Sequence, residues 1–395
     1  MADTDSFADL QKVFFAAFIQ GVGYSIDQPA QVVQPAPPIV GEDDDEADTL
    51  LWNYLNTLPG DSLTRNTSLA SGAQFLSTYS AVMSSLQSPP NNFKATIGEY
   101  CYDAFVAAVE NGNATATPRG YRDWAFLTSK CSENANSGAS AYAAMLLDPI
   151  FAGQNNVLPY KPIGKKPVDF VPGYATMMKQ LKKAPPRAFE TRLSISNQEY
   201  KKTWTGGKQS AVFGLWSNSY SNTQISQKFS ASGVHIKADF KNLLAFKATP
   251  GDWYNSATLG IAYSEKGTPP WSPTGLKTWE NTFSARGDML RFTTVLLIAN
   301  QMNLTYSSEA TFSQTEQQEI RKNSSAGLWP FYNSSSGDSS ETSVDFDTSG
   351  HLLVTTSTVK NVPTIVGALV EPVDQFLGHL KEVSRLELQR LAPRT

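Results

Sequence analysis

The sequence predicts an α+β protein: a helical N-terminal unit, then a mostly antiparallel β-sheet or sandwich unit, then a C-terminal amphipathic helix. A change of pattern and the composition predict it. Apolar residues recur at helical spacing as far as Pro185-Pro186, and beyond Arg187 they recur at a period of two. Composition agrees, since only 17% of the 395 residues are charged. Ser, Thr, Asn and Gln make up the difference, which suits β surfaces and polar loops better than long solvated helices.

In chain order, Ser6 to Gly23 reads as a helix with Ser6 as its cap. Leu10, Val13, Phe14, Ala17 and Phe18 form its stripe, and Phe15 and Ile19 widen it until most of the surface is apolar. Such a helix must be buried by its own domain, a partner or lipid. Residues 1–27 are therefore set apart from a linker at 28–47. That linker carries Pro29, Pro35, Pro37 and Pro38 and the acidic run Glu42 to Glu46, and it is expected to be extended and solvated. The run lacks the spaced ligands and central Gly of an EF-hand loop.

A helical domain is expected over 48–186, with helices at Asp48–Leu58, Leu69–Leu86, Phe93–Glu110, Ser137–Leu147 and Tyr174–Lys183. Turns such as Leu58-Pro59-Gly60 and Ser88-Pro89-Pro90 separate them, and Pro149 to Pro172 reads as a loop-rich stretch. The β-rich domain is expected over 187–372. Val234, Ile236, Ala238 and Phe240 alternate with polar residues, as do Met302, Leu304 and Tyr306. Phe292 to Ala299 is a continuous run of apolar and β-branched residues, as a strand covered on both faces would be. Asp347-Thr348-Ser349-Gly350 turns a hairpin between Val344-Phe346 and Leu352-Val359, and Ser313 to Glu316 has capping-box spacing. The tail, 373–395, reads as an amphipathic helix carrying Val373, Phe376, Leu377, Leu380, Val383 and Leu391.

The formal charge of −4 gives no electrostatic reason to expect nucleic acid. His235, His351 and His379 lie far apart, and no metal ligand set is recognisable. Neither a Walker loop nor a dinucleotide fingerprint is present, so no cofactor is expected, and no catalytic residue is assigned. Cys101 and Cys131 read as buried thiols, with a bridge between them as the alternative. Five Asn-x-Ser/Thr sequons, at Asn66, Asn113, Asn303, Asn323 and Asn333, are close to the number chance supplies. The N-terminus lacks a basic region ahead of its apolar stretch, so a cytoplasmic chain, or one exported without a classical signal peptide, is expected.

Two surfaces carry the functional expectation. The neutral, hydroxyl-rich segment Ser210 to Ser232 interleaves Phe213, Leu215, Trp216, Tyr220, Ile225 and Phe229, as an amphipathic hairpin would. The apolar N-terminal helix offers Phe14 and Phe18. Together they point to a non-enzymatic interaction protein acting by self-association, a protein partner or contact with a membrane surface, toxin-like if the hairpin inserts. The competing expectation is a cofactor-free, carbohydrate-active hydrolase. It would use two of Glu199, Asp239, Asp252, Glu265, Glu280, Asp288, Asp345 and Asp347 beside tryptophans. Trp253, Trp271 and Trp329 read instead as plugs of the sandwich core.

Overall fold

A computed structural model describes residues 20–23, 30–31, 39–59, 74–87, 92–193, 225, 228, 232–323 and 340–378. In chain order it contains β1 (Ala30–Gln31), α1 (Asp44–Leu55), α2 (Phe75–Ser84), α3 (Asn92–Ile97), α4 (Glu99–Glu110), α5 (Pro118–Leu127), α6 (Ala135–Leu146) and α7 (Pro149–Val157). These are followed by β2 (Phe170–Val171), α8 (Tyr174–Leu181), β3 (Arg187–Leu193), β4 (Val234–Lys247) and β5 (Thr249–Pro250). The remainder is α9 (Ser256–Ser264), α10 (Trp279–Phe283), β6 (Arg291–Thr311), α11 (Gln314–Asn323), β7 (Ser340–Phe346), β8 (His351–Thr358), β9 (Thr364–Pro372) and α12 (Val373–Phe376). The α+β class stands, with helices leading and an antiparallel sheet following.

Where the sequence suggests one boundary near 186, the chain packs as two units interleaved along it. One comprises residues 1–75, 168–250 and 288–395, and the other comprises 76–167 and 251–287.

The first unit is built on a seven-stranded sheet in which β1, β9, β6, β4 and β3 lie in that order. The long strand β6 organises it. One side of β6 pairs with β4 from Val295 to Ser308, and the other pairs with β9 up to Ala299 and with β8 from Asn303, all antiparallel. The residues feeding one apolar cluster change phase there. Val295, Leu297 and Ala299 give way to Met302, Leu304 and Tyr306, and on β4 the series ending at Phe240 resumes at Leu243. Gln301 sits at the step with φ of 54°, the left-handed conformation that shifts a strand by one residue. Asn300 anchors it: its amide group donates to Asn242 at 3.2 Å, and its oxygen accepts from the Asn361 amide at 2.9 Å. From Val295 to Asn300 every residue is buried, so this half of the strand is covered on both faces as its composition requires. Past Gln301 the predicted alternation holds, with Met302, Leu304 and Tyr306 buried and Asn303 exposed.

Helices complete this unit. Ile320 of α11 enters the sheet cluster, and Ser313 and Glu316 form the expected reciprocal cap, at 2.7 and 3.4 Å. The α1 helix begins at Asp44, four residues earlier than its hydrophobic pattern suggests. Asp43 accepts the Glu46 amide at 2.9 Å, and Asp44, Asp45 and Glu46 occupy the first turn. Carboxylates there meet unpaired amides and the positive end of the helix dipole, so the acidic run, exposed as expected, starts a helix and is not extended. Ile39, inside the same expected linker, is buried, with its amide on the Pro363 carbonyl at 2.9 Å. The C-terminal helix is shorter than expected where it is described: α12 closes at Gly378, φ 76°, where any other residue would be strained. Its Phe376 ring stacks on Phe292 at 4.0 Å. Leu380, Val383 and Leu391 lie outside the described residues.

The second unit is helical and aromatic-rich. Phe93, Ile97, Phe105, Tyr121, Ala125, Ala135 and Tyr142 form its core, with Phe93 stacked on Tyr142 at 4.6 Å and edge-on to Tyr121 at 4.9 Å. The expected Phe93–Glu110 helix is broken into α3 and α4 by Gly98, whose φ of 78° and ψ of 157° suit glycine alone. Helices α5, α7, α9 and α10 of this unit escaped the sequence reading. Helix α5 is capped by Thr117, which accepts the Gly120 amide at 2.9 Å, and α7 by Asp148, which accepts the Phe151 amide at 2.8 Å. Each has Pro at its first position, where proline favours a start.

Two corrections concern side chains. Cys101 and Cys131 are not free thiols: they form a disulfide across a sequence separation of 30, inside this helical core. Trp253 and Trp271 are buried as expected, but in the helical unit and not in a β sandwich. Trp253 packs edge-on to Tyr79 at 5.7 Å, and the Trp271 indole donates to the Glu265 carbonyl at 2.8 Å.

Candidate functional site

The disulfide first decides what nucleophile is available. With both sulfurs bonded to each other, neither Cys is free to act as a thiolate partner for histidine. The described histidines serve the sheet surface. His235 Nε2 lies 2.9 Å from Glu190 on the neighbouring strand β3, and His351 Nδ1 lies 2.8 Å from Asp347. Asp347 belongs to the β7–β8 turn, where it also accepts the backbone amides of His351 and Ser349, at 2.9 and 2.8 Å. Those bonds, first the His351 amide and then its ring, hold the carboxyl below the usual Asp range.

The carboxylates of the hydrolase reading are dispersed. Asp252, Glu265 and Glu280 are exposed on the helical unit, and Asp288, Asp345 and Asp347 are exposed on the sheet unit. Asp239 is half-buried opposite Asn303, and Glu199 lies outside the described residues. A general acid needs a raised pKa, and Asp347 moves the other way. Among the described residues, no cluster of three His, Cys, Asp or Glu is placed to hold a metal ion.

Of the side chains the sequence singled out, Phe14, Phe18, Phe213, Leu215, Trp216, Tyr220 and Phe229 lie outside the described residues. Ile225 is described. It is 2% exposed and belongs to the apolar cluster of the sheet, together with Val22 from the end of the first helical segment. Gly21 lies so close to the Phe189 ring of β3 that a side chain there would clash.

The three most exposed large apolar side chains are elsewhere, on the helical unit. Leu127 is 90% exposed, Leu276 86% and Leu147 82%. Tyr100, Phe126, Leu146, Leu158 and Ile163 are also exposed on this unit. Leu127 ends α5, Leu146 ends α6, and Leu147 follows it. Cations cover aromatic faces on the same unit: Lys266 lies 3.9 Å from the Trp279 ring centroid, and Lys130 lies 4.9 Å from that of Tyr100. Sequence reasoning missed these leucines because each continues a helical stripe or sits in a loop. Only the packed helix shows that its final turn has run past the core.

Among the described residues no helix is long and apolar enough to cross a membrane. No protein-family model matches the chain, and neither does any curated protein or solved structure.

Proposed function

We propose that this chain is a non-enzymatic interaction protein that acts by self-association or membrane contact through its helical unit. The observation that carries the reading is the exposure of Leu127, Leu147 and Leu276 on a unit whose core is already closed by aromatic packing and a disulfide. Scattered exposed leucines are ordinary, but several nearly complete exposures on one small unit favour a surface that is covered in use.

Magnitudes bound the contact. Burying one leucine contributes about 1.5–3 kcal/mol, so three contribute roughly 5–9. Association costs on the order of 4–15 kcal/mol. Three leucines therefore give a weak contact at best. Tight binding requires neighbours such as Phe126 and Ile163 to join, or many copies to act at once.

The compartment follows the same line. A disulfide is rarely kept in the cytosol, so a location outside the cytosol is favoured.

The test is the variant Leu127→Ser/Leu147→Ser/Leu276→Ser, compared with the wild-type chain by sedimentation equilibrium and by flotation with neutral and anionic vesicles. The wild-type chain should associate with itself or float with vesicles, and the variant should do neither. A wild-type chain that stays monomeric and vesicle-free would remove the proposal. The Ser210–Ser232 segment is tested separately, by dye release from vesicles. Release by the Leu variant would assign membrane action to that segment and not to the helical unit.

A further inference from the structure

We infer that Asn113 is an N-glycosylation site, on a chain that completes its folding in an oxidising secretory compartment. Two independent features of the helical unit meet here.

The first is the disulfide. Only two cysteines occur in the chain. They are brought together from the first turn of α4, which holds Cys101, and from the segment after α5, where Cys131 lies four residues past Leu127. Both are buried in the core of the unit. Closing the bridge takes two electrons and two protons from the thiols. These pass to a disulfide oxidant, which secretory compartments supply and the cytosol does not.

The second is the acceptor. Asn113-Ala114-Thr115 is an Asn-x-Thr sequon whose Asn and Thr are both exposed, in the turn joining α4 to α5. The backbone of this turn is held: the Asn113 amide donates to the Ala108 carbonyl at 2.7 Å, and Gly112 takes φ of 71°. The Asn113 carboxamide itself has no hydrogen-bond partner among the described residues. A glycan there would project from a fixed turn and displace no contact. Asn303, by contrast, lies within β6, between Asp239 of β4 and Ser357 of β8, where a glycan would lie across the sheet.

The co-reactant is a lipid-diphosphate-linked oligosaccharide. The Asn113 side-chain nitrogen bonds to the anomeric carbon of the sugar, the carbon–oxygen bond to the diphosphate breaks, and the nitrogen loses one proton. The lipid diphosphate leaves with the bonding electron pair. The Thr115 hydroxyl is required for recognition of the acceptor.

The experiment uses the chain isolated from its source cells with thiols blocked by N-ethylmaleimide at lysis. It is digested without reduction and split into portions with and without peptide-N-glycosidase in heavy-oxygen water. Two results are expected: a linked Cys101–Cys131 peptide, and an Asn113 peptide recovered only after enzyme treatment, carrying the heavy-oxygen tag. Thr115→Ala should abolish the tag and leave the disulfide in place. A bare Asn113 peptide beside an intact disulfide would overturn the modification alone. Alkylated Cys101 and Cys131 with bare Asn113 would overturn the compartment as well.

Discussion

Reducing the Cys101–Cys131 bridge in the folded chain should cost the helical unit a large part of its stability. The bridge spans a sequence separation of 30. Loop-closure entropy then gives a stabilisation of about 3.6 kcal/mol. A domain is typically stable by roughly 5–15 kcal/mol, so the loss is between a quarter and most of the total. The bridge also lies among Phe105, Tyr121 and Ala125, so loosening it frees α4 from the core it helps to close. The assay is urea unfolding followed by near-ultraviolet circular dichroism, with and without a phosphine reductant. With a slope of about 1–3 kcal/mol per molar urea, the midpoint should fall by roughly 1–4 M. Cys101→Ala/Cys131→Ala should follow the reduced wild-type curve. Superimposable oxidised and reduced curves would refute the reasoning, since a bridge that constrains nothing in the unfolded chain cannot stabilise the folded one.

Two further outcomes follow from the geometry. The Tyr121 hydroxyl is fully buried without a hydrogen-bond partner among the described residues, and burial pushes its pKa up. Tyr121→Phe removes a desolvated group and should leave stability unchanged or raise it by about 1–2 kcal/mol. A loss of stability, read from the same urea curves, would mean that the hydroxyl has a partner. The Asp347 carboxylate has a lowered pKa, so it contributes to the turn above its ordinary range and loses that contribution as pH falls through the folded value. The Ser349 and His351 amide resonances of the wild-type chain and of Asp347→Asn should therefore differ at neutral pH. They should converge in strong acid, and a difference that persists at all pH values would contradict the hydrogen-bond assignment.

The β half was legible where one face is wet. Val234 to Phe240 and Met302 to Tyr306 alternate because each second residue meets solvent. Where both faces are dry the strand itself was legible but its phase was not, since Val295 to Asn300 has no polar alternation to read. The one-residue step at Gln301 was hidden for the same reason. Asp347 to Gly350 and Ser313 to Glu316 were readable as turn and cap because their chemistry is local. Helices α5, α7, α9 and α10 were less so. Short amphipathic segments such as Pro118–Leu127 are stabilised by tertiary contacts with Phe93 and Phe105 and not by their own pattern. The disulfide could not be chosen over two buried thiols without knowing that Cys101 and Cys131 come within bonding reach. Nor could the exposed leucines be separated from core leucines, because exposure is decided by where a helix ends relative to its neighbours.

Carbene photolabelling of the full chain, dilute, concentrated and with vesicles, tests the interaction surface most directly. If the helical unit is the contact, labelling at Leu127, Leu147 and Leu276 should fall on concentration or on vesicle addition, while labelling at the exposed Leu353 of the sheet stays constant. Association with those three leucines labelled as heavily as before would place the contact elsewhere and contradict the account.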